Sequence, residues 1–149
     1  MLFRSDTALW SEALSKQGSI ALTKGKEYFP IAEQKLSDAF GVVDRVGSNG
    51  LKANISASLS NLYSRMDEGE KALYYAKLNL SLRRDTARAY RAFLLLGDAY
   101  YKCKEYDSAT FYFNKSLLSK DYGRKVDADR KSTRLNSSHS TSSRMPSSA

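Results

Sequence analysis

Hydrophobic residues recur at spacings of three and four along most of the chain, from about Leu9 to Ser119. This spacing places the apolar side chains on one face of each helix and predicts an all-α fold. Short breaks divide the pattern into six stretches, and we interpret them as three successive pairs of helices. The predicted helices are residues 9–23 with 29–46, 53–66 with 70–82, and 89–103 with 106–119.

The turns within the pairs lie at 24–26, 67–69 and 104–105. The link at 104–105 is so short that its two helices must pack antiparallel. At 67–69 we expect Gly69 to adopt a positive φ, because glycine does so without steric cost. Residues 47–50, Gly-Ser-Asn-Gly, are the clearest linker between pairs. A break at Tyr122-Gly123 predicts that 124–128 begins a further helix.

Two windows of the sequence repeat each other at a constant separation of 37 positions. Small residues at Gly97 and Ala109 are predicted to bring the two helices of the later window close together, with Tyr100 and Phe113 filling the space beside them. The matching pairs are Leu59 with Leu96, Tyr63 with Tyr100, Ala72 with Ala109, Tyr75 with Tyr112 and Leu80 with Leu117.

The order of these residues resembles the tetratricopeptide repeat (TPR), a helix–turn–helix repeat of about 34 residues. The resemblance covers a degenerate copy at about 9–46 and clearer copies at about 53–85 and 90–121. It departs from the family at Ser60, Ala76 and Asp121, where Gly, an aromatic residue and Pro are usual. The resemblance implies that the repeats pack through Leu59, Tyr63, Ala72, Phe93, Leu96, Gly97, Tyr100, Tyr106, Ala109 and Phe113.

The family resemblance implies an α-solenoid of helical hairpins whose first helices line a concave surface that binds a peptide or protein partner. Carried over by position, the partner-binding residues are Asn54, Asn61, Arg65, Arg91, Asp98, Tyr101 and Lys102. The alternative interpretation of these residues is a solvated polar face. Ala57 and Leu94 stand where members that clamp a terminal carboxylate have Lys, so that clamp is not expected. An alternative function is a sensory segment of a larger bacterial histidine kinase or transcriptional regulator.

Both ends of the chain resemble translated sequencing-adapter sequence, in residues 1–5 and 129–149. We therefore expect the natural sequence to run from about Asp6 to Ala128, and the serine-rich segment 129–149 to be disordered because it has almost no apolar residues to bury. The formal net charge of +8 includes five of the 24 basic residues from these two segments. A nucleic acid is therefore not expected as a partner. The sequence also lacks a membrane-spanning run.

The sequence offers little that could support catalysis. His139, the single histidine, lies in the adapter-like segment, and Cys103 is interpreted as a buried structural thiol. No phosphate-binding glycine loop is present. We therefore expect no enzymatic activity, no catalytic residue, no metal site and no cofactor. The expected partner is a protein or peptide, with self-association through incomplete repeats as a further possibility. The compartment stays open, with the cytoplasm favoured.

Overall fold

A computed structural model describes residues 4–83, 85 and 89–138 of the 149-residue chain. The described residues form six α-helices and one 3-10 turn at Lys26–Tyr28, with no strand among them, which confirms the all-α prediction. No described helix is both long and apolar enough to cross a membrane. The helices are α1 (Arg4–Lys24), α2 (Phe29–Val46), α3 (Asn49–Arg65), α4 (Gly69–Ser81), α5 (Tyr90–Lys102) and α6 (Tyr106–Ser138).

Helix boundaries agree with the predicted ranges within one residue in α2, α4 and α5, whereas α1 and α3 begin five and four residues earlier than predicted. The predicted range 29–46 coincides with α2, where Pro30 lies in the first turn and so interrupts no hydrogen bond. The linker predicted at 47–50 is shorter than expected, because Asn49 and Gly50 already belong to α3. Gly47 ends α2 in the left-handed region with φ 73°, and its N–H donates to the Val43 carbonyl at 3.1 Å.

The longest helix, α6, contradicts two predictions. It runs through Tyr122-Gly123 without a break, so 124–128 is a continuation of α6 and not the start of a further helix. A single glycine costs a helix only about 1 kcal/mol, which does not suffice to end it. The helix also extends to Ser138, into the segment predicted to be disordered; between Pro30 and Pro146 no proline interrupts the chain. Residues 139–149, with His139, lie outside the described residues.

Each helix packs against its neighbours in chain order. The pairs α1–α2, α3–α4 and α5–α6 make the most extensive contacts, α2–α3 and α4–α5 join successive pairs, and α3 also touches α1 and α5. One apolar core is built from buried side chains of α1 to α5, and Tyr112 of α6 packs against it. The fully or nearly fully buried side chains include Leu36, Val43, Ile55, Leu59, Leu62, Ala76, Leu96 and Ala99.

The turns after α3 and α5 have the same backbone geometry at a separation of 37 positions. Asp67 and Lys104 adopt positive φ values of 60° and 63°. The N–H of Glu68 donates to the Tyr63 carbonyl at 2.9 Å. The N–H of Glu105, which stands 37 positions after Glu68, makes the corresponding bond after α5. This pattern closes a helix with a left-handed residue in the Schellman motif.

The prediction for Gly69 is therefore wrong, since Asp67 takes the positive φ and Gly69 is the first residue of α4. Glycine is needed at position 69 for a different reason. A Cβ there would lie 2.9 Å from the backbone nitrogen of Cys103, so only a hydrogen fits between the start of α4 and the end of α5.

The same repeat distance separates two hydrogen bonds within the helix pairs, the first buried and the second partly buried. Asn79 Nδ2 donates to the Ala53 carbonyl at 2.7 Å, and Ser116 Oγ donates to the Tyr90 carbonyl at 2.7 Å. Both partners of the second bond stand 37 positions after those of the first. Ring pairs repeat in the same way: Tyr63 with Tyr75 at 5.8 Å and Tyr100 with Tyr112 at 5.4 Å between centroids.

Nine of the ten residues assigned to repeat packing are buried or half-buried. Tyr106 differs, because it is 56% exposed and contacts Tyr101 at the surface. The closest approach lies where α5 meets α6. A Cβ on Gly97 would lie only 2.5 Å from the Phe113 ring, so glycine is required there by space alone. The buried or half-buried members are Leu59, Tyr63, Ala72, Phe93, Leu96, Gly97, Tyr100, Ala109 and Phe113.

Candidate functional site

A groove of about 400 Å³ lies between α3 and α5, with the end of α4 at its side. It brings together four of the seven residues that the sequence suggested for partner binding: Asn54, Asn61, Arg91 and Asp98. On each helix these residues are seven positions apart, so the side chains of each helix lie on one face about two turns apart. These four side chains therefore give the groove a polar surface along α3 and α5.

The remaining lining of the groove combines apolar and polar groups. Leu94, 48% exposed, and buried Leu95 form an apolar part of the α5 wall. Sequence reasoning missed Arg83 and Asn79, which come from the end of α4. Arg83 Nε donates to Asn79 Oδ1 at 3.3 Å. Because Asn79 is itself fixed by its bond to Ala53, this contact holds the Arg83 side chain at the groove.

A second depression of about 610 Å³ adjoins the groove at the N-terminal end of α3. Asn54 and Arg83 line both, so the two form one elongated surface along α3. The residues that belong to the second depression alone include Asn49, Gly50 and Leu82. A ligand longer than the groove itself could therefore continue past Arg83 along the same surface.

Asp98 is the acidic residue of the groove, and its environment disfavours its charge. Although the side chain reaches solvent, partial burial between the helices raises the pKa of its carboxyl above the ordinary value, and the nearby Lys102 charge offsets this only in part. The ionised form of Asp98 is therefore disfavoured in this groove.

Replacing Asp98 by Asn is expected to stabilise the protein at neutral pH. A folded-state pKa that is raised means that ionised Asp98 costs stability, and this cost grows as the pH rises from the ordinary carboxyl pKa through the raised one. Thermal melts of D98N and wild type should therefore differ at neutral pH and converge in acid, below both pKa values. A difference that stays constant with pH would contradict the assignment of the effect to ionisation.

Arg65 and Lys102, which the sequence also suggested for the groove, lie elsewhere and connect neighbouring helix pairs. Arg65 Nη1 donates to the Leu22 carbonyl at 2.8 Å, at the end of α1. Lys102 Nζ donates to Asp67 Oδ1 at 2.6 Å, in the turn after α3. The two residues stand 37 positions apart and each ends its helix, so each places a positive charge against the C-terminal end of the preceding odd-numbered helix.

Tyr101 likewise lies away from the groove lining. Its ring packs against Tyr106 at 5.6 Å between centroids, beside the turn after α5.

The hydrogen bond from Lys102, followed by the attraction of its charge, lowers the pKa of Asp67. These contacts show that the C-terminal turns of α3 and α5 join helices, while the groove is lined by residues of the earlier turns of both helices.

Cys103 is half-buried at the end of α5. Burial, followed by the negative charges of Glu70 and Glu105, raises the pKa of its thiol, so the reactive thiolate is disfavoured. Within residues 4–83, 85 and 89–138, no group of three or more His, Cys, Asp or Glu side chains is arranged to hold a metal ion.

Comparisons with known proteins yield no relative for this chain. No protein-family model, no curated protein and no solved structure matches it. The groove is therefore interpreted from its own residues and from the repeat that the chain contains.

Proposed function

We propose that this chain is a non-catalytic, TPR-like array of helical hairpins that binds an extended segment of a partner protein in the groove between α3 and α5. The observation that carries the proposal is the convergence of Asn54, Asn61, Arg91 and Asp98 on one groove. These positions were carried over from the resemblance to the tetratricopeptide repeat, and the groove joins them across two helices that lie 37 positions apart.

The lining suits a peptide backbone. Asn54 and Asn61 lie about 10 Å apart along α3, which corresponds to about three residues of an extended chain. Asparagine can donate to a peptide carbonyl and accept from a peptide N–H, so both polar groups of an extended backbone can be satisfied. Leu94 and Leu95 offer an apolar contact for a side chain between the two points.

The charges of the groove favour a partner segment with an acidic residue. Arg83 and Arg91 supply two guanidinium groups, each able to bind a carboxylate through two N–H donors. Asp98 is placed to receive a Lys or Arg of the same segment. The described lining residues include no His, Cys, Ser or Thr, which supports a binding role over nucleophilic catalysis.

Peptides selected on the wild-type protein from a displayed random library test the proposal. We expect the selected peptides to be enriched in Asp or Glu, and to lose about tenfold in affinity with R91A and with N61A, since each change removes charged or backbone hydrogen bonds. Binding is measured by fluorescence anisotropy of the labelled peptides.

Two control variants make the same substitutions at exposed positions outside the groove. Arg124 and Asn114 are exposed residues of α6, outside the groove, so R124A and N114A should bind the selected peptides as tightly as wild type. Equal losses in the groove variants and in these controls, or a selection that yields no binder, would refute the groove as the binding site.

A further inference from the structure

The groove between α3 and α5 is lined at three levels, because residues of its two walls correspond to each other one repeat apart. The two helices run in the same direction, since their C-terminal ends meet: Lys102 of α5 is bonded to Asp67 in the turn after α3. Each level therefore has one residue from α3 and its counterpart from α5. The levels are Asn54 with Arg91, Ala57 with Leu94, and Asn61 with Asp98.

The charge of the lining changes from one level to the next. At the first level, Arg91 is joined by Arg83, which follows the end of α4. The middle level is apolar, and Leu94 is 48% exposed there. The third level contains Asp98. From one end to the other, the groove is therefore cationic, apolar and acidic.

Two further charged residues lie close to these ends without lining the groove. Asp85 lines the adjoining depression together with Arg83, so Arg91 is the main cationic group of the groove itself. The charge of Lys102 acts on Asp98, but its hydrogen bond goes to the turn after α3. A ligand that brings an acidic group to Arg91 and a basic group to Asp98 therefore meets an opposite charge at each end.

The distance between the two charged levels selects the conformation of the ligand. Arg91 and Asp98 are seven positions apart, which is about 10 Å along α5. A polyproline II helix has three residues per turn, so its residues i and i+3 lie on the same side, about 9 Å apart. In a β-strand, i and i+3 point to opposite sides, and residues on one side are about 7 Å or about 13 Å apart. Of these two extended conformations, polyproline II matches the groove.

The α3 wall suits the same conformation. A polyproline II helix makes no internal hydrogen bonds, so its carbonyl groups need other donors. Asn54 and Asn61 stand at the two charged levels, and their side-chain N–H groups can donate to these carbonyls. Between them, Ala57 and Leu94 provide an apolar surface for the two residues that separate the charges, and proline rings are apolar.

We propose that the segment bound in this groove is a polyproline II helix with an acidic and a basic residue three positions apart. The acidic residue binds Arg91, the basic residue binds Asp98, and the two residues between them, prolines in the best ligands, pack on Leu94. This inference rests on the proposed function, because it specifies the segment that the groove binds.

Peptides that differ only in the spacing of the two charges test the geometry. The core Glu-Pro-Pro-Lys is compared with cores that have one or three prolines between the charges, all with the same Gly-Ser flanks and the same net charge. We expect the core with two prolines to bind about tenfold more tightly than the others, because a wrong spacing leaves one charged hydrogen bond unmade. Fluorescence anisotropy of the labelled peptides measures the affinities. An optimum at one or three prolines would contradict the polyproline II geometry.

Variants at the two charged levels test which end of the groove binds which residue. Wild type should prefer Glu-Pro-Pro-Lys to Glu-Pro-Pro-Gln by about tenfold, and to Gln-Pro-Pro-Lys by a similar factor. D98N, which keeps the size of the side chain, should lose only the preference for Lys, and R91A only the preference for Glu. The control D121N makes the same substitution at an exposed position of α6 outside the groove, and it should keep both preferences.

The results separate this inference from the proposed function. The selected library peptides can lose affinity with R91A and N61A while the spacing series shows no optimum at two prolines, or while D98N keeps the preference for Lys. In either case the groove binds a partner segment, but the polyproline II inference is overturned. If neither the selected peptides nor the series bind, both are overturned.

Discussion

Replacing Gly97 by Leu is expected to lower the free energy of unfolding by about 3 kcal/mol. A Cβ at this position would lie 2.5 Å from Cδ1 and Cε1 of the Phe113 ring, well inside van der Waals contact, and the rest of the Leu side chain enlarges the overlap. Either the ring leaves its place between α5 and α6 or the two helices separate. The expected fall in Tm is roughly 6–10 °C, measured by circular dichroism at a concentration where the protein is monomeric.

The matched control is G41L, which makes the same substitution within a helix where a Cβ meets nothing within 4 Å. Removing glycine from an open helical position stabilises a helix by about 0.5–1 kcal/mol. The two variants should therefore change stability in opposite directions. If G97L and G41L have the same Tm, the close approach of α5 and α6 at Gly97 does not contribute to stability as expected.

A double substitution identifies the neighbour that causes the effect. With Phe113 replaced by Ala, the space of the ring is free, so adding G97L should cost far less than it costs in the wild-type background. The coupling between the two positions is the part of the loss that comes from this one contact. Equal costs of G97L in both backgrounds would assign the strain to some other neighbour.

The close packing of Gly97 against Phe113 could be inferred from sequence because it follows from size at helical spacing. The four groove residues came instead from the resemblance to the tetratricopeptide repeat. The six helices and the repeat distance of 37 follow from the residue pattern in the same way as the packing of Gly97. Each of these depends on which side of a helix a residue faces, and residue order determines that side directly. The bounds of α2 were predictable in the same way, since Pro30 and Gly47 mark its two ends.

The positions of Arg65 and Lys102 could not be inferred in this way. Both lie in the last turn of a helix, where a long basic side chain can reach towards the groove or back to the preceding helix. The choice depends on a free acceptor nearby, the Leu22 carbonyl for Arg65 and the Asp67 carboxylate for Lys102. Such acceptors come from elsewhere in the chain, and helical periodicity contains no information about them.

Residue composition predicts neither the positive φ at Asp67 nor the length of α6. Glycine is the usual left-handed residue, but Asp67 and Lys104 adopt that conformation where the Schellman bonds of the turn favour it. In α6, Gly123 lies inside one continuous helix. A glycine predicts a turn only where the chain must change direction.

Replacing Leu59 by Ala is expected to destabilise the protein by about 3 kcal/mol, within the 2–5 kcal/mol typical of a buried leucine. Leu59 is fully buried in α3, the helix that contacts α1, α2, α4 and α5, so the surroundings cannot collapse into the space without moving several helices. The loss combines the transfer of three apolar carbons out of water with the cavity that remains. Urea unfolding followed by circular dichroism measures it.

The control is L118A, at a position that is 72% exposed on α6, where the same substitution removes little buried surface and should change stability by less than about 0.5 kcal/mol. Because α3 lies at the centre of the array, L59A should also shift the whole transition and not one part of it. Repeat arrays unfold as a unit only while the contacts between neighbouring repeats outweigh the instability of a single repeat. Two separate transitions in L59A would contradict this expectation. They would show that the first and last helix pairs fold independently of α3, although α3 packs against four other helices.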